Sequence, residues 1–301
     1  MGKISLRRCR SVVGALAMAA AVVASAQSHQ ATDPPAKAAP GVTLTADLVK
    51  TGLYLIRGGG ANTLLRFSAN GLILVDGKLP GNYRALMSQV RKINKLSDMP
   101  IRALIVTNHR EEHAGNSAQF VASGVPIVAH ENVQRNLRVN DSSGQAVALP
   151  TVTYKRDYSI KLGGVEVRLM HFGNARTDGD TVVYFPDLKV VAVGDLYTTE
   201  TPAPDFAQGG SLVDWGGALA EILKLDFDVV VPSVGPPVTR SDLEAFRKKI
   251  DTVVSRANGL MKAGIAKDQL MGKLQTDDLG WRFDLTADQV DRFYAELLQS
   301  K

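Results

Sequence analysis

The stretch NHREEHAGN at residues 108–116 places Asn108, His109, Arg110, Glu111, Glu112 and His113 in direct succession. Carboxylates beside imidazoles are the groups that bind divalent metals or move protons, and a guanidinium among them binds anions. His109, Glu112 and His113 fit H-x-x-E-H, a zinc-peptidase pattern that needs both imidazoles on one face of a continuous helix. Here the buried run Ile101–Thr107 comes immediately before and Ala114-Gly115 immediately after, so no continuous helix carrying both imidazoles is expected and that reading is set aside. Three further segments carry reactive or unusual residues after apolar runs: Arg176 in GNARTDGDT (173–181), Asp195 in VAVGDLY (191–197) and Val234 in VVPSVGPP (230–237).

The elements around these residues alternate. Runs at 52–56, 62–68 and 71–75 read as a strand meander, with Gly58-Gly59-Gly60 and Asn70-Gly71 as its turns. Residues 81–96 have helical spacing, 101–107 is a buried strand, and short helices at 116–123 and 130–138 surround a strand at 125–128. The second half repeats the theme with strands at 151–154, 157–162, 165–171, 181–185, 189–193 and 229–231, and helices at 211–224, 240–262 and 286–298. Two halves of this kind predict an α+β protein, an αββα four-layer sandwich of two mixed β-sheets flanked by helices.

Composition narrows the function classes. Residues 1–26 carry Lys3, Arg7, Arg8 and Arg10, then an apolar run, then Ala24-Ser25-Ala26, the layout of a cleavable signal peptide. Residues 27–41 are Pro-rich and read as a flexible tether, leaving 42–301 as the folded domain with a helical extension from about 256. Without the first segment the formal charge of +5 falls by four to +1, so no nucleic-acid partner is expected. The single Cys9 is lost with it, which excludes a thiol nucleophile or ligand. The mature chain is expected in the periplasm or secreted, with no membrane span.

Five segments in order, LILVDG (72–77), IVTNHREEHAGN (105–116), GNARTDGDTVVYFP (173–186), VVAVGDLY (190–197) and VVPSVGPPVTR (230–240), resemble the metallo-β-lactamase fold family. That resemblance implies a dinuclear zinc site on strand-end loops, held by five His and two acids, with a metal-activated water. The chain departs from the family pattern at most ligand positions. Asn108, Arg110, Arg176 and Val234 stand where His belongs, Glu112 replaces an Asp, and only His113 and Asp195 are retained. Arginine offers no lone pair, so two arginines in that register oppose a dication.

Two readings follow. In the first, the protein is a pseudoenzyme or binding protein for a small, anionic molecule, with Arg110 and Arg176 in the metal space and paired with Glu112 and Asp195. In the second, Glu112, His113 and Asp195 hold one zinc ion for hydrolysis of an ester, lactam or similar bond. The cofactor is accordingly none or one zinc. An exported interaction module is a third class, and no residue identifies its partner. His109 falls between ligand positions and is expected to point away. His130 and His171 lie at strand or helix ends near the same rim, where each either lines a pocket or serves the structure.

Overall fold

The computed structural model describes residues 42–139 and 148–300. The expected signal peptide (1–26) and tether (27–41) lie outside the described residues. Strands β1 (Thr45–Lys50), β2 (Leu53–Arg57), β3 (Thr63–Ser68), β4 (Gly71–Val75), β5 (Ile101–Ile105), β6 (Ile127–His130) and β7 (Val152–Tyr154) form one sheet in that order. Strands β8 (Asp157–Leu162), β9 (Val165–Met170), β10 (Val182–Phe185), β11 (Val190–Gly194), β12 (Val229–Pro232) and β13 (Val238–Thr239) form the second. Each sheet is mixed: β4, β5, β6 and β7 pair in parallel, as do β11 and β12, and the other neighbours are antiparallel.

Period-two patterning explains the layers. In β4, Ile73 and Val75 face the second sheet, while Leu72 and Leu74 face helices α1 (Tyr83–Ile93), α3 (Ser117–Ala122) and α4 (Glu131–Val139). In β11, Val190 and Ala192 face inward, and Val191 and Val193 pack on α5 (Leu212–Ile222), α6 (Arg240–Lys262), α7 (Lys267–Lys273) and α8 (Ala287–Gln299). Each fully buried Val, Leu or Ile contributes roughly 1.5–3 kcal/mol, so three apolar layers hold the αββα sandwich together. Among the described residues, no helix is long and apolar enough to cross a membrane. Residue 256 lies inside α6, and α6, α7 and α8 all contribute to the core over the second sheet.

Several details differ from the expectation. The β3–β4 turn is centred on Ala69-Asn70, because Ser68 pairs with Gly71. His130 ends β6 instead of opening a helix. Strand β1 and helix α7 carry no strong period in TADLVK and KDQLMGK and were not anticipated.

Candidate functional site

The parallel pairs β4–β5 and β11–β12 send their C-terminal ends to one rim. Asp76 follows β4 with φ 65, a left-handed conformation that Asp tolerates better than most residues. Its carboxylate accepts hydrogen bonds from the Thr107 amide (2.8 Å) and hydroxyl (2.8 Å), and Oδ2 lies 2.8 Å from His113 Nδ1. Glu112 and His113 ride on the four-residue helix α2 (Glu111–Ala114), directly after the loop bearing Asn108 and Arg110. Asp195 follows Gly194, which takes φ 54 at the end of β11.

These side chains converge on Asp195. Its Oδ2 accepts from Asn108 Nδ2 (3.1 Å) and lies 3.2 Å from His113 Nε2, and Ser233 donates a short hydrogen bond to Oδ1. Burial alone would raise the Asp195 pKa, but the positive charge at His113 and these donors hold it well below the usual carboxylate range. For His113 burial works against the charged form. The Asp195 and Asp76 carboxylates outweigh it and raise the imidazole well above its ordinary value.

The arginines behave differently from each other. Arg110 Nη2 lies 3.3 Å from Glu112 Oε1 and its Nε lies 3.9 Å from Asp195 Oδ2. The Arg176 guanidinium makes no hydrogen bond or ion pair among the described residues, although burial and the neighbouring Arg110 depress its pKa. The expected pairing of Arg176 with Asp195 is therefore corrected: the two interact only at longer range, because His113, Asn108 and Ser233 already surround the carboxylate. Arg110 and Arg176 line a cavity of about 370 Å³ together with Glu112, His113, Asp195, Ser233, Tyr197 and Val234.

A second set of contacts shapes the rim. Asn62 donates through Nδ2 to the carbonyls of Pro232 and Gly235 (both 2.8 Å), and its amide donates to Ser233 O at 2.6 Å. Lys78, fully buried, donates to Ile56 O and Ala61 O (both 2.7 Å). Desolvation pushes its pKa down to about 7, against the pull of Asp76. Gly60 takes φ 113 in this loop, where a Cβ would meet the Leu79 amide at 2.6 Å.

The remaining histidines do not reach the cavity. His109 is buried with Nδ1 lacking a hydrogen-bond partner. His130 stacks on His171 at 4.0 Å between ring centres. His130 Nε2 donates to Lys155 O, and His171 Nδ1 donates to Asp180 O. Neither His109 nor His171, both binding candidates from the sequence, lines the cavity, and His171 is held by the Asp180 carbonyl and the His130 ring. Ser233 was missed; its position beside the candidate Val234, at the end of an apolar run, was the available signal.

The dinuclear zinc site that the resemblance implies does not fit these residues. Among the described residues, no group of three or more His, Cys, Asp or Glu is arranged to hold a metal ion. Arg110 and Arg176 have no lone pair, the Val234 side chain donates nothing, and Glu112 is turned toward Arg110. Arg110 Nε lies 3.9 Å from Asp195 Oδ2, so its positive charge would oppose a cation held by that carboxylate.

Comparison with known proteins places this arrangement in a family. The chain is 26% identical over 234 residues to the 2,4-dinitroanisole O-demethylase subunit alpha of Nocardioides sp. (strain JS1661), covering 75% of this chain and 68% of that one. Among solved structures, a metallo-beta-lactamase from Pontibacter korlensis superposes with a TM-score of 0.61 at 20% identity, covering 69% of this chain and 99% of that one. A stereoselective inverting sec-alkylsulfatase from Pseudomonas sp. gives a TM-score of 0.64 at 18% identity, covering 83% of this chain. This chain spans only 46% of that enzyme, so the larger protein has parts with no counterpart here. The metallo-beta-lactamase superfamily model matches residues 55–234, more than half of the chain, and on that match the protein belongs to the metallo-beta-lactamase superfamily.

Proposed function

We propose that the protein is a binding protein on a hydrolase fold, whose rim cavity takes a small anionic molecule without a metal ion. The observation that carries this reading is the Arg176 guanidinium, which lines the cavity and has no hydrogen-bond or ion-pair partner among the described residues. A partly desolvated cation whose acids lie only at longer range leaves its fork of N–H donors unfilled, and an anion that accepts them relieves the cost of burial. Asp195, which bridges metals in the family pattern, here accepts from Ser233 and Asn108 and is bonded to His113, so it is satisfied within the protein. The same reading includes export through residues 1–26 and a tether at 27–41, to be checked by sequencing the mature N-terminus.

The test is metal content with anion binding on one preparation. The protein is purified without chelator or metal-binding tag, incubated with zinc, desalted and measured by mass spectrometry. Thermal shift then follows titration with organic anions. Well under one zinc per chain, with anion-dependent stabilisation, is the expected result. About one zinc per chain overturns the reading in favour of a Glu112–His113–Asp195 zinc site, and about two would restore the family's ordinary chemistry.

A further inference from the structure

We propose that Arg176 is the anion-recognising group of the cavity and that it selects a singly charged organic anion carried on an apolar body. This rests on the metal-free reading above and goes beyond it by fixing the charge class and shape of the ligand.

The charge pairing at the wall carries the argument. Arg110 stands between two acids, 3.3 Å from Glu112 and 3.9 Å from Asp195, so its charge is already met. Among the described residues Arg176 has no acid within ion-pair distance, and Asp195, Asp205 and Asp180 act on it only at longer range. Asp180, one of the carboxylates that acts on it at longer range, is occupied by the Thr177 amide at 2.7 Å and hydroxyl at 3.0 Å. The cavity therefore presents one unmet positive charge beside two carboxylates. A carboxylate or sulfonate accepts two parallel N–H bonds from one guanidinium. A dianion would bring a second negative charge toward Glu112 and Asp195 with no cation free to receive it.

Much of the rest of the wall is apolar, and its hydroxyls at Ser233, Thr198 and Thr201 already bond to Asp195 and to the Glu200 and Arg282 amides. Val234 is 77% exposed, an aliphatic side chain left uncovered where the family pattern has a histidine. Tyr197, Ala203 and Trp215 line the same space, and Trp215 has already committed its indole N–H to Leu196 O at 3.0 Å. Val234, Ala203 and the Trp215 ring offer a ligand body apolar contact only. A few convergent polar groups on an apolar wall is the usual make-up of a small-molecule site.

Isothermal titration calorimetry near pH 8 on the mature chain tests this with hexanoate, acetate, hexanol and hexyl phosphate. Hexanoate is expected to bind at least tenfold more tightly than each of the other three. Arg176→Gln should weaken hexanoate at least tenfold, and Arg176→Lys should recover part of the loss. Because the Arg176 guanidinium makes no hydrogen bond or ion pair among the described residues, neither variant should lower the melting temperature. Hexyl phosphate binding as tightly as hexanoate would show that both arginines share a dianion, overturning the inference while the metal-free reading stands. Equal binding of acetate would overturn the apolar half, and an unchanged Arg176→Gln would overturn the role of Arg176. Binding of no anion, or retention of one zinc per chain, would sink the underlying reading and the inference together.

Discussion

His113, carried by the first sheet, meets Asp195, carried by the second, at 3.2 Å between Nε2 and Oδ2. Its other nitrogen lies 2.8 Å from Asp76, so one imidazole ties carboxylates from both halves of the sandwich. Removing one partner of such a pair strands the charge of the others. Asp195→Ala should destabilise the fold by about 3 kcal/mol, the low end of the range for breaking a buried pair. Urea unfolding would measure it, and a loss below about 1 kcal/mol would mean that the tie is ornamental.

The ligand positions make the metal question reversible. The combined substitution Asn108→His, Arg110→His, Arg176→His and Val234→His puts imidazoles back beside His113 and Asp195 and removes both opposing cations. Zinc content by mass spectrometry should rise from well under one to at least one ion per chain. A variant that folds and still excludes zinc would show that the backbone of these loops, and not the side chains alone, has lost the site.

Glu296 offers a pH test remote from the cavity. It reaches from α8 to the start of α5, accepting from Ser211 Oγ at 3.0 Å and the Val213 amide at 3.4 Å. Burial raises its pKa to about 7, and these donors only partly offset it. The folded state thus binds the proton more tightly than the unfolded one. The stabilisation is full below the unfolded value near 4.5 and is lost as pH rises through about 7. Glu296→Gln keeps an acceptor and never ionises. It should raise the melting temperature by about 2–4 °C at pH 8, on the order of 1 kcal/mol after discounting for partial exposure. At pH 4 the two proteins should melt together; a gain of the same size there would refute the protonation account.

Gly60 tests the rim. Its φ of 113 is one that residues with a Cβ avoid, and the added carbon would strike the Leu79 amide and the Glu112 carbonyl. Gly60→Ala should cost about 1–3 kcal/mol and weaken anion binding, because the loop that lines the cavity must move. Calorimetric melting and the hexanoate titration would read both effects. Wild-type values in both would indicate that the loop relaxes freely.

Much of the fold was legible because its strands are buried on both faces or alternate cleanly, as Leu72 to Val75 and Val190 to Val193 do. Strand β1 was not, since an exposed edge strand such as Thr45–Lys50 has little apolar pattern to display. In the site, the retained and replaced ligand positions could be read from the five matching segments. The partnerships could not. That Asp195 would be met by Ser233, 38 residues on, and that Arg176 would therefore stay unpaired, depends on where two strand ends meet in space. Likewise nothing in the sequence separates His171, stacked on His130, from a histidine facing the cavity.

The bonds from Asn62 to Pro232 and Gly235 join residues 170 or more apart along the chain. Each doubling of such a loop adds only about 0.6 kcal/mol of closure entropy, so the cost to stability is modest, but the contact must wait for both ends to exist and to meet. The cavity thus depends on contacts between distant parts of the chain. Residues as far apart as Gly60 and Val234 line the cavity, so ligand capture would report completion of the whole sandwich.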